Sequence, residues 1–85
     1  MRLEGKYFKG NRMIREAVVT RNDPNLAFVK ELELALIDLC HVLDAPIPLW
    51  LSKNTHEFAA FRQTIFFSDQ YTENVDFDRF QIRLL

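Results

Sequence analysis

The stretch that decides the fold is NDPNLAFVKELELALIDLCHVLDAP, residues 22–46. Its apolar residues recur every three or four positions, which is the spacing of one buried stripe on an α-helix. The residues of this predicted core stripe are Phe28, Val29, Leu32, Ala35, Leu36, Leu39, Cys40 and Leu43. Asp23 is placed to accept hydrogen bonds from free backbone N–H groups, and Pro24 suits the first helical position. Pro46 disfavours helix at the residue before it. The stretch therefore predicts one long amphipathic helix that starts at Asp23-Pro24 and runs to about Leu43.

Before this helix, two segments have the pattern of β-strands. Residues 2–9 alternate apolar and polar side chains, and residues 12–20 are rich in β-branched side chains. Gly10-Asn11 lies between them and tolerates the backbone angles of a tight hairpin turn. The second segment has apolar residues of both parities, so we expect a central strand or a strand covered by a dimer partner.

After the long helix, the sequence predicts a short helix and two further strands. Asn54 and Glu57 have the spacing of a capping box, which predicts a helix over residues 55–62. Residues 63–67 and 79–85 have the pattern of strands.

Together, these segments predict an α+β domain of two layers in the order ββα(α)ββ, with the long amphipathic helix packed on a four-stranded sheet. Our first choice is a β-grasp-like arrangement, in which the terminal strands lie side by side and parallel. A simple antiparallel meander under the helix is the alternative. The chain has 85 residues, of which 48% are hydrophobic, so we expect residues 1–85 to form a single small globular domain around one core.

Composition also limits the location and the class of partner. The chain has one cysteine, which cannot form an internal disulfide, so a reducing compartment is expected. No apolar run approaches ~20 residues and the first residues lack an apolar signal core, so we expect a cytoplasmic protein that does not enter the membrane. The net charge is −1. Residues 1–21 contain six bases and two acids, whereas residues 22–50 contain one base and five acids. This charge asymmetry can steer a partner.

No catalytic or metal-binding constellation is visible in the sequence. Cys40 and His41 are adjacent on the predicted helix, so their side chains diverge by about 100°. Asp38 and His41 supply only two potential metal ligands. An enzyme with paired carboxylates near the C-terminal turn is our third hypothesis; the acidic residues there are Asp69, Glu73, Asp76 and Asp78. We therefore expect a protein that is not an enzyme and that uses no metal or cofactor.

The leading hypothesis is a non-enzymatic protein–protein interaction module, either a homodimer or the binder of a small protein partner. Several residues of the helical stretch fall away from the predicted core stripe, and large aliphatic side chains in such positions favour an interface. The alternative is that the segment Pro46–Leu51 or a chain terminus folds over them. The candidate interface residues are Leu26, Leu34, Ile37 and His41. Trp50, between Leu49 and Leu51, is either a core residue or an anchor for a partner.

The alternative hypothesis is nucleic-acid binding by the basic N-terminal hairpin. Aromatic rings beside basic side chains can stack on unpaired bases and contact phosphates. The candidate residues are Lys6, Tyr7, Phe8, Lys9 and Arg12. In an alternating strand one of the two rings must face the core, and the isoelectric point of about 6.1 is low for a dedicated binder. Nucleic acid is therefore the less favoured partner.

Several short runs in the second half of the chain carry a resemblance to other proteins. They are Pro48–Asn54, the pair Glu57-Phe58, Phe61, and the ending Phe77–Ile82. In these runs the chain resembles a group of small uncharacterised proteins of clostridia-type bacteria. That group has no assigned activity, so the resemblance implies a free-standing bacterial cytoplasmic protein and no particular catalytic or binding residue.

Overall fold

The computed structural model describes residues 1–85, as a four-stranded antiparallel sheet with two α-helices on one of its faces. In chain order the elements are β1 (Arg2–Lys9), β2 (Arg12–Thr20), α1 (Phe28–Val42), α2 (Ser52–Phe61), β3 (Gln63–Phe67), a 3₁₀ turn (Ser68–Gln70) and β4 (Arg79–Leu84). The expected α+β class is confirmed. Neither helix is long and apolar enough to cross a membrane.

The strand order is β2-β1-β4-β3, and every neighbouring pair is antiparallel. The first and last strands do lie side by side, with Gly5 opposite Ile82. They run in opposite directions, however, so the β-grasp-like arrangement with parallel terminal strands is wrong. The simple meander is also wrong, because β1 and β4 are neighbours. The terminal strands are antiparallel because α2, a helix of ten residues, reverses the chain once more before β3.

Helix α1 begins later than the sequence predicts and is 15 residues long. The Asp23 carboxylate accepts a hydrogen bond from the Asn25 N–H at 3.0 Å, and the Asp23 carbonyl accepts one from the Leu26 N–H at 3.2 Å. These bonds form a separate turn before the helix. Ala27, which has no capping side chain, is the residue at the helix start. The predicted start at Asp23-Pro24 is therefore wrong.

Asn54 has a different role from the predicted helix cap. It lies in the first turn of α2, where its Oδ1 atom accepts a hydrogen bond from the Leu51 N–H at 2.9 Å. Its Nδ2 atom donates to Thr64 Oγ1 at 2.8 Å, and Gln70 Nε2 donates to Asn54 Oδ1 at 2.9 Å. Glu57 accepts from the Thr64 hydroxyl instead of capping the helix. Since Asn54 is fully buried, this network fixes α2 to β3 and to the 3₁₀ turn.

The hydrophobic core lies between the two helices and the inner face of the sheet. The expected burial of Leu32, Leu36 and Leu39 is confirmed, since their exposed fractions are 8%, 6% and 0%. Gly5 lies on β1 directly under α1, where a Cβ atom would be 2.6 Å from Leu39 Cδ2 and 2.8 Å from Phe80 Cε1. The absence of a side chain at Gly5 therefore lets α1 lie close to the sheet.

Candidate functional site

The first candidate surface is the free edge of β2. This strand has β1 on one side only, and none of its nine residues is buried. Three apolar side chains are close to half exposed: Met13, Ile14 and Val18. The prediction of a central strand is therefore wrong. Within one chain, the apolar side chains of β2 that point away from the helices remain in contact with solvent.

The direction of the free backbone groups follows from the pair formed by Met1 and Arg21. The Arg21 N–H donates to the Met1 carbonyl at 2.9 Å, and the Met1 ammonium donates to the Arg21 carbonyl. Bonded and non-bonded pairs alternate along antiparallel strands, so the odd-numbered residues 17 and 19 of β2 bond to β1. The N–H and C=O groups of Glu16, Val18 and Thr20 therefore point away from the sheet and can accept another strand.

One flank of α1 lies beside this strand edge. Arg21, directly after β2, donates from Nη1 to Asp38 Oδ2 at 2.8 Å, and its Nε atom is 3.9 Å from Glu31 Oε1. These contacts identify the side of α1 that lies over β2. Leu34 is half-buried and lies between Glu31 and Asp38 at helical spacing. We call Glu16, Val18, Thr20 and Leu34 together the edge surface.

The structure divides the four predicted interface residues between two places. Leu34 is part of the edge surface, and the exposed His41 follows it two turns later on α1. Ile37, with an exposed fraction of 38%, lies between them at helical spacing and also lines a groove beside α2. Leu26 is half-buried in the turn before α1, close to Met1. Leu34, Ile37 and His41 therefore form one strip along α1, and Leu26 lies apart from it.

The second candidate surface is an apolar groove between α1 and α2, with a volume of about 600 Å³. The buried residues Leu32, Leu36 and Phe58 line it, together with exposed residues such as Val29 and Ile47, whose exposed fractions are 76% and 53%. The groove was not predicted from the sequence, because Val29 has the same three-four spacing as the buried residues of the core stripe. The predicted core stripe is wider than the face of α1 that is buried against the sheet.

Trp50 lies where this groove meets the core. Its ring packs edge-on against Phe58 and Phe66, with ring centres 6.0 and 5.6 Å apart. Its Nε1 atom donates to Thr55 Oγ1 at 2.8 Å. The ring is half-buried and also lines the groove. Both alternatives for Trp50 therefore describe part of its position: it packs on the core, and a ligand in the groove would touch it.

The basic hairpin does not present all of its predicted nucleic-acid residues. Tyr7 has an exposed fraction of 3% and stacks on Phe80 at 4.3 Å, so its prediction as a stacking residue is wrong. Phe8 lies on the outer face of the sheet, where the Arg79 guanidinium covers its ring at 4.4 Å. The accessible basic residues of the set are Lys6, Lys9 and Arg12. The alternation of β1 explains why only one of the two rings points outwards.

Three buried titratable groups, Tyr7, Cys40 and Tyr71, lie near the inner side of β1. Burial raises the pKa of Cys40 to about 11 and also raises the pKa of Tyr7 and of Tyr71. Cys40 is therefore a protonated thiol at neutral pH, which makes it a poor nucleophile. No three His, Cys, Asp or Glu side chains come together as potential metal ligands.

The acidic residues near the C-terminal turn do not converge on one point. The Asp78 carboxylate accepts a hydrogen bond from the Gly10 N–H, which ties the β1–β2 turn to the start of β4. Asp69 is in the 3₁₀ turn, and Glu73 and Asp76 are exposed on the following loop. The observed role of Asp78 is thus a structural one.

Comparison with known proteins gives no assignment. No protein-family model, curated protein or solved structure matches this chain at a significant level. A function must therefore be argued from the two surfaces and their chemistry.

Proposed function

We propose that this protein is a non-enzymatic protein–protein interaction module that forms a homodimer by pairing β2 of one chain with β2 of another. The observation that supports this most directly is the free edge of β2, which is nine residues long and partly apolar. An unpaired strand edge offers a row of N–H and C=O groups to any chain that can add a strand.

Two-fold symmetry limits how such strands can pair. In an antiparallel pair around an axis perpendicular to the sheet, one residue faces its own copy across that axis. With Val18 on the axis, Glu16 faces the partner's Thr20 and Ala17 faces the partner's Val19. Between residues 16 and 20 no like charges are opposed in this register. Arg15 faces the partner's Arg21, but Arg21 is paired with Asp38 and Glu31 in its own chain. An axis at Glu16 would place two carboxylates opposite each other, which is destabilising.

The same pairing brings the two α1 helices together. Helix α1 contacts both β1 and β2. With strands spaced by about 4.8 Å, the two copies of α1 would lie roughly 10 Å apart, which is a normal distance for packed helices. Leu34 would then lie in the contact between the helices. This places an aliphatic residue, flanked by the charges of Glu31 and Asp38, where it can be buried.

Sedimentation of the wild type and of two proline variants tests the proposal. The Val18 N–H points to the free edge, so Val18→Pro removes a donor to the partner and none to β1. Val19→Pro is the matched control, because it removes a hydrogen bond inside the chain. We expect a wild-type dimer at high micromolar concentration, a folded monomer for Val18→Pro, and a destabilised fold for Val19→Pro. A wild type that sediments with its chain mass of 10.1 kDa contradicts the proposal.

One observation, made on the outer face of the sheet, still supports the alternative of nucleic-acid binding. There, Arg79 is opposite both Phe8 and Phe67 in the strand register, and its guanidinium lies 4.4 Å from the centre of the Phe8 ring. Glu4 on β1 and Glu16 on β2 would repel a polyanion. A titration with single- and double-stranded nucleic acid at low and moderate salt tests this function, because phosphate contacts must weaken as salt rises.

A further inference from the structure

We propose that the apolar groove between α1 and α2 binds an amphiphile with an alkyl chain and a cationic head group. Its volume of about 600 Å³ is within the usual range for small-molecule sites. Nine of the twelve residues that line it are hydrophobic. The proposal concerns a different surface from the β2 edge and does not depend on the dimer.

The walls of the groove determine how a ligand can be held. They are formed largely by two helices, whose backbone N–H and C=O groups are bonded within each helix. Strand addition is therefore excluded here. The Thr55 hydroxyl already accepts a hydrogen bond from Trp50. Contact with Leu32, Leu36 and Phe58 is thus the main attraction, and it favours a flexible alkyl chain.

The charge of the groove determines the head group. Glu33 is the only charged residue in the lining. Its ion pair with Lys30 is long, at 3.5 Å, and both side chains are more than half exposed, so the carboxylate remains available to a second cation. A cationic head group is therefore attracted, whereas an anionic head group such as a fatty-acid carboxylate is repelled.

Three ten-carbon probes with different head groups test this selectivity: decyltrimethylammonium and decanoate, each below its micellar concentration, and decanol below its solubility limit. Trp50 is the only tryptophan, so its fluorescence reports occupation of the groove. We expect decyltrimethylammonium to bind tightest and roughly fivefold more tightly than decanoate, the ratio expected for one exposed ion pair. A bound probe should raise the melting temperature, whereas a denaturing probe would lower it.

Variants locate the site. Val29→Lys changes an exposed wall of the groove and should weaken decyltrimethylammonium binding roughly tenfold. Val42→Lys is the matched control, because Val42 is exposed on the same helix but does not line the groove. Glu33→Gln should remove the preference for the cation. Equal binding of cation and anion by the wild type, or an equal loss in both valine variants, would overturn the proposal.

One further result would assign the groove to a different occupant. If Val29→Lys converts a wild-type dimer to a monomer, a second copy of the chain fills the groove and the amphiphile proposal fails. If Val18→Pro alone does so, the β2 proposal stands and the groove is free for a ligand. Sedimentation of both variants therefore separates failure of one proposal from failure of the other.

Discussion

The strands β1 and β2 belong to one hairpin and yet differ completely in burial. β1 contains no β-branched residue, but Leu3, Gly5 and Tyr7 are buried. β2 contains several β-branched residues, and none of its residues is buried. The difference is their position in the sheet, because β4 pairs with β1 and leaves β2 at the edge. Burial in this fold is thus determined by long-range pairing and not by the hydrophobicity of each strand.

The comparison also explains why β2 is suited to forming a dimer and poorly suited to forming a fibre. Its apolar residues form two short groups, Met13-Ile14 and Ala17–Val19, and Glu16 and Thr20 flank the second group. Arg12 and Arg15 lie beyond it, and charged side chains on an edge strand limit further pairing.

The largest expected difference between the two strands is in their sensitivity to truncation. Leu3 is fully buried, whereas Val18 is 44% exposed. Leu3→Ala should lower the free energy of unfolding by about 2–5 kcal/mol, because it leaves a cavity in the core. Val18→Ala should change it by less than about 0.5 kcal/mol in the monomer. Urea unfolding at low protein concentration measures both changes in the free energy of unfolding. Equal losses in the two variants would contradict the placement of β2 at the edge of the sheet.

The burial of Cys40 against the inner side of β1 should also make the free energy of unfolding depend on pH in the alkaline range. Burial raises the pKa of Cys40 in the folded chain to about 11, from an ordinary value of 9. The stabilisation due to the neutral thiol is therefore complete below pH 9 and is lost as the pH rises towards 11, by about 2–3 kcal/mol.

Urea unfolding of the wild type and of Cys40→Ala at several pH values between 8 and 11 would isolate this contribution. The variant should show a shallower loss of stability than the wild type, with Tyr7 and Tyr71 responsible for the remainder. Identical slopes would show that Cys40 is accessible to solvent.

A smaller difference in the free energy of unfolding is expected between substitutions at Gly5 and at Ala17, which face each other across the hairpin. Gly5→Ala should cost about 1–3 kcal/mol, because the new methyl group would overlap Leu39 and Phe80. Ala17→Gly, on the strand at the edge, should cost about 0.5–1 kcal/mol through backbone entropy, with a smaller loss from the contact of the Ala17 methyl group with the core. A neutral Gly5→Ala variant would show that α1 is not packed tightly on β1.

The features of the fold that were predictable from sequence are the local ones. The three-four spacing of Leu32, Leu36 and Leu39 located the core face of α1, and alternation or β-branched residues located the four strands. The sequence placed β1 beside β4 but gave the pair the wrong direction, because the direction of two strands so far apart in the chain depends on how often the chain reverses between them. The start of α1 was misplaced because the Asp23 carboxylate can close a turn as readily as it can cap a helix.

The candidate surfaces were predictable only in part. Leu34 stood out because it lies opposite the apolar stripe, and the structure places it beside the edge of β2. The groove was not recognised, because exposed and buried members of one apolar stripe look alike in sequence. Whether a side chain on that stripe is covered depends on how far apart α1 and α2 lie, and no short-range pattern encodes this distance.

The measurement that tests the central claim most directly is disulfide cross-linking of Val18→Cys under mild oxidation. In the proposed register Val18 faces the partner's Val18 at a Cα separation of about 5.5 Å, which a disulfide can span. Thr20→Cys is the matched control, because Thr20 faces the partner's Glu16. The natural Cys40 is 1% exposed and should not compete. We predict a covalent dimer for Val18→Cys and none for Thr20→Cys; monomers in both cases, or equal cross-linking of the two, would contradict the pairing of β2 with its own copy.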